Sequence, residues 1–337
     1  MYPSFLRTGL RYSCKRSAAG LARLSPFTSS SLYSHSSSSH SMTTENAKFA
    51  AQNLFDVDGW VCVVTGGGTG IGLMIAQAFA NNGAKVYITS RRQDVLEKTT
   101  KHWGSALIHP RGKLIPAVCD VTSKDSIRRL VDEIERSESQ VDLLVNNAGI
   151  SKTTSDVEKG EQSVNALAEE LFNEDPNHWG DIYRTNVIGP FFVSAAFLPL
   201  LHAASKKSHL TGSVINVSSI SGITRNTQHH INYNVSKAAT IHLTTLLAQE
   251  FRRKAVRVRV NSIAPGIFPS EMTAGGSDEY NKSQLPHGEE FGKKKGIPAD
   301  RPGREEDVAQ AALMLACNQY AYGQTLAIDG GYLLVNG

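Results

Sequence analysis

The 337 residues would allow two domains by length, and the chain is 40% hydrophobic and 20% charged with a formal net charge of +4. That excess is local: residues 1–44 hold five cations (Arg7, Arg11, Lys15, Arg16, Arg23) and no acid, which leaves about −1 on everything after them. Such a balance gives no case for nucleic acid as a partner, and no apolar run is long enough to span a bilayer.

The first 44 residues also contain thirteen serines. A basic, Ser-rich, acid-free leader has the composition of a mitochondrial transit peptide, with a disordered tail carrying no address as the plainer alternative. A secretory signal does not fit, because no uninterrupted apolar core follows the basic residues. Met42 would start a shorter, cytoplasmic form. The remainder, 45–337, reads as a single catalytic domain, with a cofactor half over about 57–150 and a substrate half over about 151–337. Cys14, Cys62, Cys119 and Cys317 lie too far apart for metal-ligand spacing, so no metal is expected. Cys62 and Cys119 sit in apolar runs that suit small buried thiols.

In chain order, Trp60-Val-Cys-Val-Val-Thr65 is a short, continuously apolar strand, the pattern expected when both faces of a sheet are covered. A helix over 70–82 follows, stopped by Gly83. Lys85-Val-Tyr-Ile-Thr-Ser90 is the second strand, and a helix begins near Gln93. The third strand spans 114–118, an amphipathic helix 123–136, and the fourth strand 141–145. The fifth, sixth and last strands fall at 213–217, 256–263 and 324–328. This alternation predicts an α/β fold: one doubly wound Rossmann-type domain with a mostly parallel seven-stranded sheet and helices on both faces. Ligands on such sheets bind beyond the carboxyl ends of the strands. No fixed-period repeat is present.

Three motifs fall at those ends. Thr65-Gly-Gly-Gly-Thr-Gly-Ile-Gly72 is a glycine-rich turn between a buried strand and a helix, and helix N-terminal amides attract phosphate. Gly66, Gly70 and Gly72 follow G-x-x-x-G-x-G spacing; the G-x-G-x-x-G fingerprint would need a small residue where Ile71 stands. Walker A also fails, since no Gly-Lys-Ser/Thr closes the loop. Asn146-Asn147-Ala148-Gly149 follows the fourth strand. In Tyr233-Asn-Val-Ser-Lys237 a phenol and an ammonium lie one helical turn apart and share a face. Such a pair can deliver a proton to a carbonyl as hydride arrives. The ammonium is expected to bring the phenol below its usual pKa of ~10.

In these motifs the chain resembles the short-chain dehydrogenase/reductases, over about residues 57–332 and with every motif in family order. The resemblance implies a nicotinamide dinucleotide held by Thr65, Gly66, Gly70, Ile71, Gly72, Asn147, Ala148 and Gly149. It also implies an adenine contact at Asp120 with Val121 beside it. Helix capping is the other reading of Asp120, although Ser123 could fill that role. Which nicotinamide is a charge question, because a carboxylate after the second strand binds a 2′-OH and a cation accepts a 2′-phosphate. Here Ser90-Arg91-Arg92 stands, so NADPH/NADP+ is expected, with Arg91 forking onto phosphate and Ser90 adding a hydroxyl donor. The alternative is that both arginines are solvated residues opening the next helix.

The family likeness further implies a catalytic set of Asn186, Ser219, Tyr233 and Lys237. Ser219 would hydrogen-bond the substrate carbonyl, Tyr233 act as acid, Lys237 also bind the nicotinamide ribose, and Asn186 tie the lysine to a water relay. The interval from Ser219 to Tyr233 is one residue longer than the common family spacing. The extra residue is placed in loop 223–231, and Ser218 and Ser221 stay open as alternatives to Ser219. Pro265, Gly266, Ile267 and Ser270 resemble the segment that holds the nicotinamide carboxamide. The polar stretch 274–298 is placed to be a mobile substrate lid, or else a surface loop with no substrate role.

The look of 265–273 and of Ile328-Asp-Gly-Gly331 is closest to β-ketoacyl reductases, including the rhamnolipid-pathway type. A small-molecule carbonyl, such as an acyl thioester on coenzyme A or a carrier protein, is therefore expected. A mitochondrial leader would suit organellar fatty acid synthesis. Lys293-Lys-Lys295 could meet an acidic carrier or coenzyme A phosphates, or be an ordinary solvated face. The long segment 151–175 weakens any transfer of substrate. The rivals are an alcohol, polyol or secondary-metabolite dehydrogenase of the same family, and a cofactor-sensing regulator, which typically lacks the tyrosine or lysine. The resemblance also implies a homotetramer.

Overall fold

Alternation within the first strand decides how the layers stack. Val61 and Val63 point into one apolar core and Cys62 and Val64 into the other, all nearly inaccessible to solvent. A strand buried on both faces needs helices on both, which the connections supply. The computed structural model describes residues 42–152, 157, 163–207 and 210–337. Residues 47–337 form one compact unit. The leader expectation for 1–44 falls almost wholly outside the described residues.

After α1 (Met42–Ala47) and α2 (Ala51–Leu54), the chain runs β1 (Val61–Thr65), α3 (Gly70–Asn81), β2 (Lys85–Ser90), α4 (Gln93–Trp103), β3 (Lys113–Val118), α5 (Lys124–Glu135) and β4 (Leu143–Asn146). Then come α6 (Val164–Phe172), α7 (Pro176–Tyr183), a π-helical turn (Arg184–Ile188), α8 (Gly189–Lys207), β5 (Ser213–Val217), α9 (Ile231–Phe251) and β6 (Arg259–Pro265). The last elements are α10 (Glu271–Ala274), α11 (Glu289–Lys295), α12 (Glu305–Cys317), β7 (Thr325–Ile328) and α13 (Tyr332–Asn336).

Among the described residues the strands form one sheet in the order β3-β2-β1-β4-β5-β6-β7, and every pairing is parallel. The order reverses between β1 and β4, and the crevice at that switch point is where doubly wound sheets take ligands. One core packs α3 and α12 under the sheet through Ile75, Phe79, Val308 and Leu315. The other packs α5, α8 and α9 through Ile127, Leu130, Phe197 and Leu247.

Three expectations shift. β6 begins at Arg259, because a turn and a left-handed Arg257 (φ 55°) occupy the residues before it. Arg259 itself is buried and donates to the carbonyls of Leu315 and Ala316, satisfying groups that end α12 without a helical partner. β4 begins at Leu143, two residues later than the apolar run. The continuous helical stretch 176–206 is also long and apolar enough to pass a membrane-span test, against the reading of the bare sequence. Its apolar face is spent inside the protein: Val193, Phe197, Leu200 and Leu201 are buried in the second core, beside buried Asn186 and Ser194.

Candidate active site

The glycine turn opens the site. Gly66 has φ 64°, which an L side chain rarely adopts, and a side chain there would stand 2.9 Å from Asn147 Nδ2. Gly72 is glycine for closeness instead: a Cβ would lie 2.3 Å from the Gly66 carbonyl oxygen. Asn147 braces the turn from β4, its Nδ2 donating to the carbonyls of Thr65 (3.0 Å) and Gly66 (3.1 Å). Thr65 works beneath it, its Oγ1 accepting the amides of Asn147 and Ala148 at 3.0 and 3.1 Å.

Above the turn lies a cleft of about 480 Å³. Of the residues singled out from sequence, Gly66, Gly70, Ile71, Ser90, Arg91, Asp120, Val121, Asn147, Ala148, Gly149, Ser219, Tyr233, Lys237, Pro265, Gly266 and Ser270 line it. Thr65, Gly72 and Asn186 stand one layer behind. Ile267 turns away to pack beside Ile220, Phe291, Ile297 and Tyr332.

The donors fit a dinucleotide. Thr69 precedes α3 and makes no side-chain cap, so the first-turn amides of that helix remain available at the cleft floor for a pyrophosphate. Buried Thr89 Oγ1, at the cleft end of β2, has no hydrogen-bond partner among the described residues. Just past β3, Asp120 Oδ1 accepts from the amide (2.9 Å) and hydroxyl (2.7 Å) of Thr122. Burial pushes its carboxyl up, but these bonds and Arg91 outweigh it and hold the pKa below the ordinary value. Helix capping is done by Ser123, which accepts from Ser126 N. The Ser90 hydroxyl is locally engaged, accepting from Arg92 N and donating to Arg92 O. Both arginines line the cleft, and Arg92 is in addition forked onto Glu271.

At the other end three side chains converge. Ser219 and Tyr233 line this end of the cleft together, and Ser219 Oγ accepts from Ser221 N at 3.1 Å. Of the two alternative serines, Ser218 Oγ bonds Ser262 Oγ and Ile263 O, and Ser221 Oγ donates to Gln228 Oε1. Lys237 Nζ lies 5.6 Å from the Tyr233 ring centre and donates to Val217 O at 2.9 Å. Burial lowers Lys237 to about 8.

The expected depression of the phenol is overturned in this chain. Burial raises Tyr233 to about 12, and the Ser219 hydroxyl only moderates it. Desolvation of the phenolate is the largest cause. Asn186 sits in the π-helical turn with Oδ1 accepting from Ile150 N (2.9 Å) and Nδ2 donating to Ile150 O (3.0 Å) and Ser236 Oγ (3.1 Å). Gly149 separates it from Lys237: a Cβ there would lie 3.3 Å from Asn186 Oδ1 and 3.4 Å from Lys237 Nζ.

Within the segment 274–298, residues 280–282 are tied to α3, α4 and α12. Buried Asn281 donates to Thr99 Oγ1 (2.7 Å) and Val95 O (3.2 Å) on α4, and Trp103 Nε1 donates to Tyr280 O at 2.8 Å. Lys282 reaches Gln77 on α3 and Glu305 on α12. These partners are scattered through the sequence, so composition alone reads the segment as loose. Thr69, Thr89, Glu271, Met272 and Thr273 also line the cleft and were not named as site residues from sequence. The Thr-x-x-x-Thr spacing around the turn was the one available hint. Of 151–175, residues 153–156 and 158–162 lie outside those described. The α6 helix that follows is capped by Ser163 and exposes Val164, Leu167, Leu171 and Phe172.

A glycine turn at the switch point, with a serine, a tyrosine and a buried lysine at the far end of one cleft, defines a nicotinamide-dinucleotide oxidoreductase. Within that class the family model for short chain dehydrogenase matches residues 60–281, and the chain belongs to the short-chain dehydrogenase/reductase family. It is 39% identical over 289 residues to the short-chain dehydrogenase/reductase PhomF of Diaporthe leptostromiformis, covering 85% of this chain and 95% of that one. It is 33% identical to the 3-oxoacyl-[acyl-carrier-protein] reductase FabG of Chlamydia muridarum, covering 80% and 95%. Among solved structures, the Pseudomonas aeruginosa RhlG/NADP active-site complex superposes with a TM-score of 0.65 at 31% identity, covering 83% of this chain and 98% of that one.

Proposed function

We propose that this chain reduces the carbonyl of a 3-oxoacyl thioester to a secondary alcohol with NADPH. The observation that carries the reaction is the convergence of the Ser219 and Tyr233 hydroxyls at one end of the cleft beside buried Lys237. Bound cofactor supplies hydride to the carbonyl carbon. Ser219 donates to the carbonyl oxygen, Tyr233 transfers its proton there, and Lys237 stabilises the phenolate left behind. Asn186 positions the Ile150 backbone and Ser236 on α9, the helix that carries Tyr233 and Lys237. Arg91 at the adenosine end supports NADPH, since no carboxylate follows β2 directly and a guanidinium forks onto phosphate.

The thioester reading is supported by the likeness to a 3-oxoacyl-[acyl-carrier-protein] reductase. Residues 1–44 support delivery to mitochondria, with a cytoplasmic form starting at Met42. Fusing 1–44 to a fluorescent protein tests this, and diffuse cytosolic signal counts against it. Exposed apolar Ile188, Phe191, Val235 and Leu246 on or beside α8 and α9 support a homotetramer. Light scattering would then report four chains. A panel of 3-oxoacyl thioesters, quinones and sugars assayed with NADPH and NADH tests the substrate and cofactor together. Turnover of sugars or polyols alone would remove the thioester reading.

A further inference from the structure

The extra residue between Ser219 and Tyr233 is absorbed in a loop with an unusual backbone. Gln228 (φ 51°) and His229 (φ 62°) are adjacent, neither is glycine, and both are left-handed. L side chains disfavour that region, so such a pair persists where surrounding contacts over-determine it. Gln228 makes those contacts. Its backbone amide donates to Asn226 Oδ1 at 2.7 Å. Its side-chain Oε1 accepts from Ser221 Oγ at 2.6 Å, and its Nε2 donates to Tyr332 OH at 3.0 Å.

Ser221 in turn donates its amide to Ser219 Oγ at 3.1 Å. A continuous path therefore runs from Tyr332, in the last helix, through Gln228 and Ser221 to the hydroxyl beside Tyr233. Tyr332, Ser221 and Ser219 are all buried. A second tie, from Thr224 Oγ1 to Asn336 O at 2.6 Å, fastens the same loop to the same helix. The amide of Ser221 occupies a lone pair of Ser219 Oγ, which leaves the Ser219 proton to be donated into the cleft.

We propose that Gln228 is a positioning residue: it holds the Ser221 turn against Tyr332, and so fixes the direction in which Ser219 donates. The inference rests on Ser219 being the hydroxyl that serves the carbonyl. It assigns the extra loop residue a task, since the left-handed pair is what turns the Gln228 side chain inward.

Gln228→Gly tests this role with no backbone strain, because glycine adopts φ 51° without penalty while the side chain is lost. The expected result is a modest fall in Tm, since relief of the φ strain offsets only part of the two lost side-chain bonds, an unchanged Kd for NADPH, and kcat for carbonyl reduction lower by about tenfold. Tyr332→Phe keeps the ring and removes the far acceptor; it should lower kcat by a smaller factor, and the double variant should lose no more than Gln228→Gly alone. Wild-type kcat in both single variants, or a kcat loss fully accounted for by the fall in Tm or by weaker NADPH binding, overturns the proposal. Ser219→Ala run alongside keeps the two readings apart. Full activity there removes the catalytic assignment itself, whereas a dead Ser219→Ala with an active Gln228→Gly removes only the positioning role.

Discussion

Arg92 and Glu271, 179 residues apart in sequence, form a two-pronged ion pair at the edge of the cofactor cleft, Nη1 to Oε1 at 3.0 Å and Nη2 to Oε2 at 2.7 Å. Glu271 also accepts from the Thr69 hydroxyl of the glycine turn and from Ser277. The pair thus joins the β2–α4 connection to the segment after β6. It also neutralises one of the two arginines that could meet a 2′-phosphate. Glu271→Gln should free Arg92 and raise NADPH affinity relative to NADH by a few-fold. The gain stays small because the partners are 51% and 34% exposed and solvent screens them. Titration of both cofactors at low and high salt checks it, and an unchanged NADPH/NADH ratio would count against Arg92 facing the phosphate.

Removing the reacting hydroxyls should stop chemistry and spare binding. Tyr233→Phe and Ser219→Ala are each expected to lower kcat by roughly 10²–10⁴-fold, the range for a lost acid or a lost oxyanion donor. NADPH binding, followed by fluorescence, should change little, because the cofactor-facing turn is untouched.

Acid–base behaviour follows from burial. Lys237, brought down to about 8, is protonated below that pH and neutral above it. Carbonyl reduction should be level below about 8 and fall as pH rises through it. The observed value will belong to the Tyr233–Lys237 pair. The same burial makes the ammonium costly to fold. A pKa lowered from 10.5 penalises the charged folded state fully below about 8, and the penalty fades as pH rises from there to 10.5. Lys237→Met should therefore be inactive yet have a higher Tm at pH 7, with the gain shrinking towards pH 10. Thermal melts across that range decide it.

Gly72→Ala is expected to fail for steric reasons alone. The added methyl would meet Gly66 O and Asn147 Nδ2 at 2.3 and 2.4 Å, so the turn and its brace must both move. NADPH affinity should fall at least tenfold and Tm should drop, as overpacked sites commonly do. Calorimetry with and without NADPH would show both.

Local chemistry was legible in the sequence and long-range proximity was not. β2 and β5 run from Lys85 to Ser90 and from Ser213 to Val217 as their apolar runs imply, and Gly83 ends its helix with φ 97°. The motifs placed the cleft because each lies at the carboxyl end of a strand. The Arg92–Glu271 pair, the anchoring of Asn281 on Thr99 and the path from Tyr332 to Ser219 join residues far apart in the chain, and no local pattern encodes them. The sign of the Tyr233 shift escaped for the same reason. It depends on how deeply the fold buries the phenol, while the i,i+4 spacing shows only that a cation is near.

The most direct test is NADPH oxidation by the wild-type chain and by Tyr233→Phe with acetoacetyl thioesters as substrate. The wild type should consume NADPH in preference to NADH, and Tyr233→Phe should bind NADPH but turn over at least a hundredfold more slowly. Retention of most activity by Tyr233→Phe, or equal use of NADH, would contradict the account.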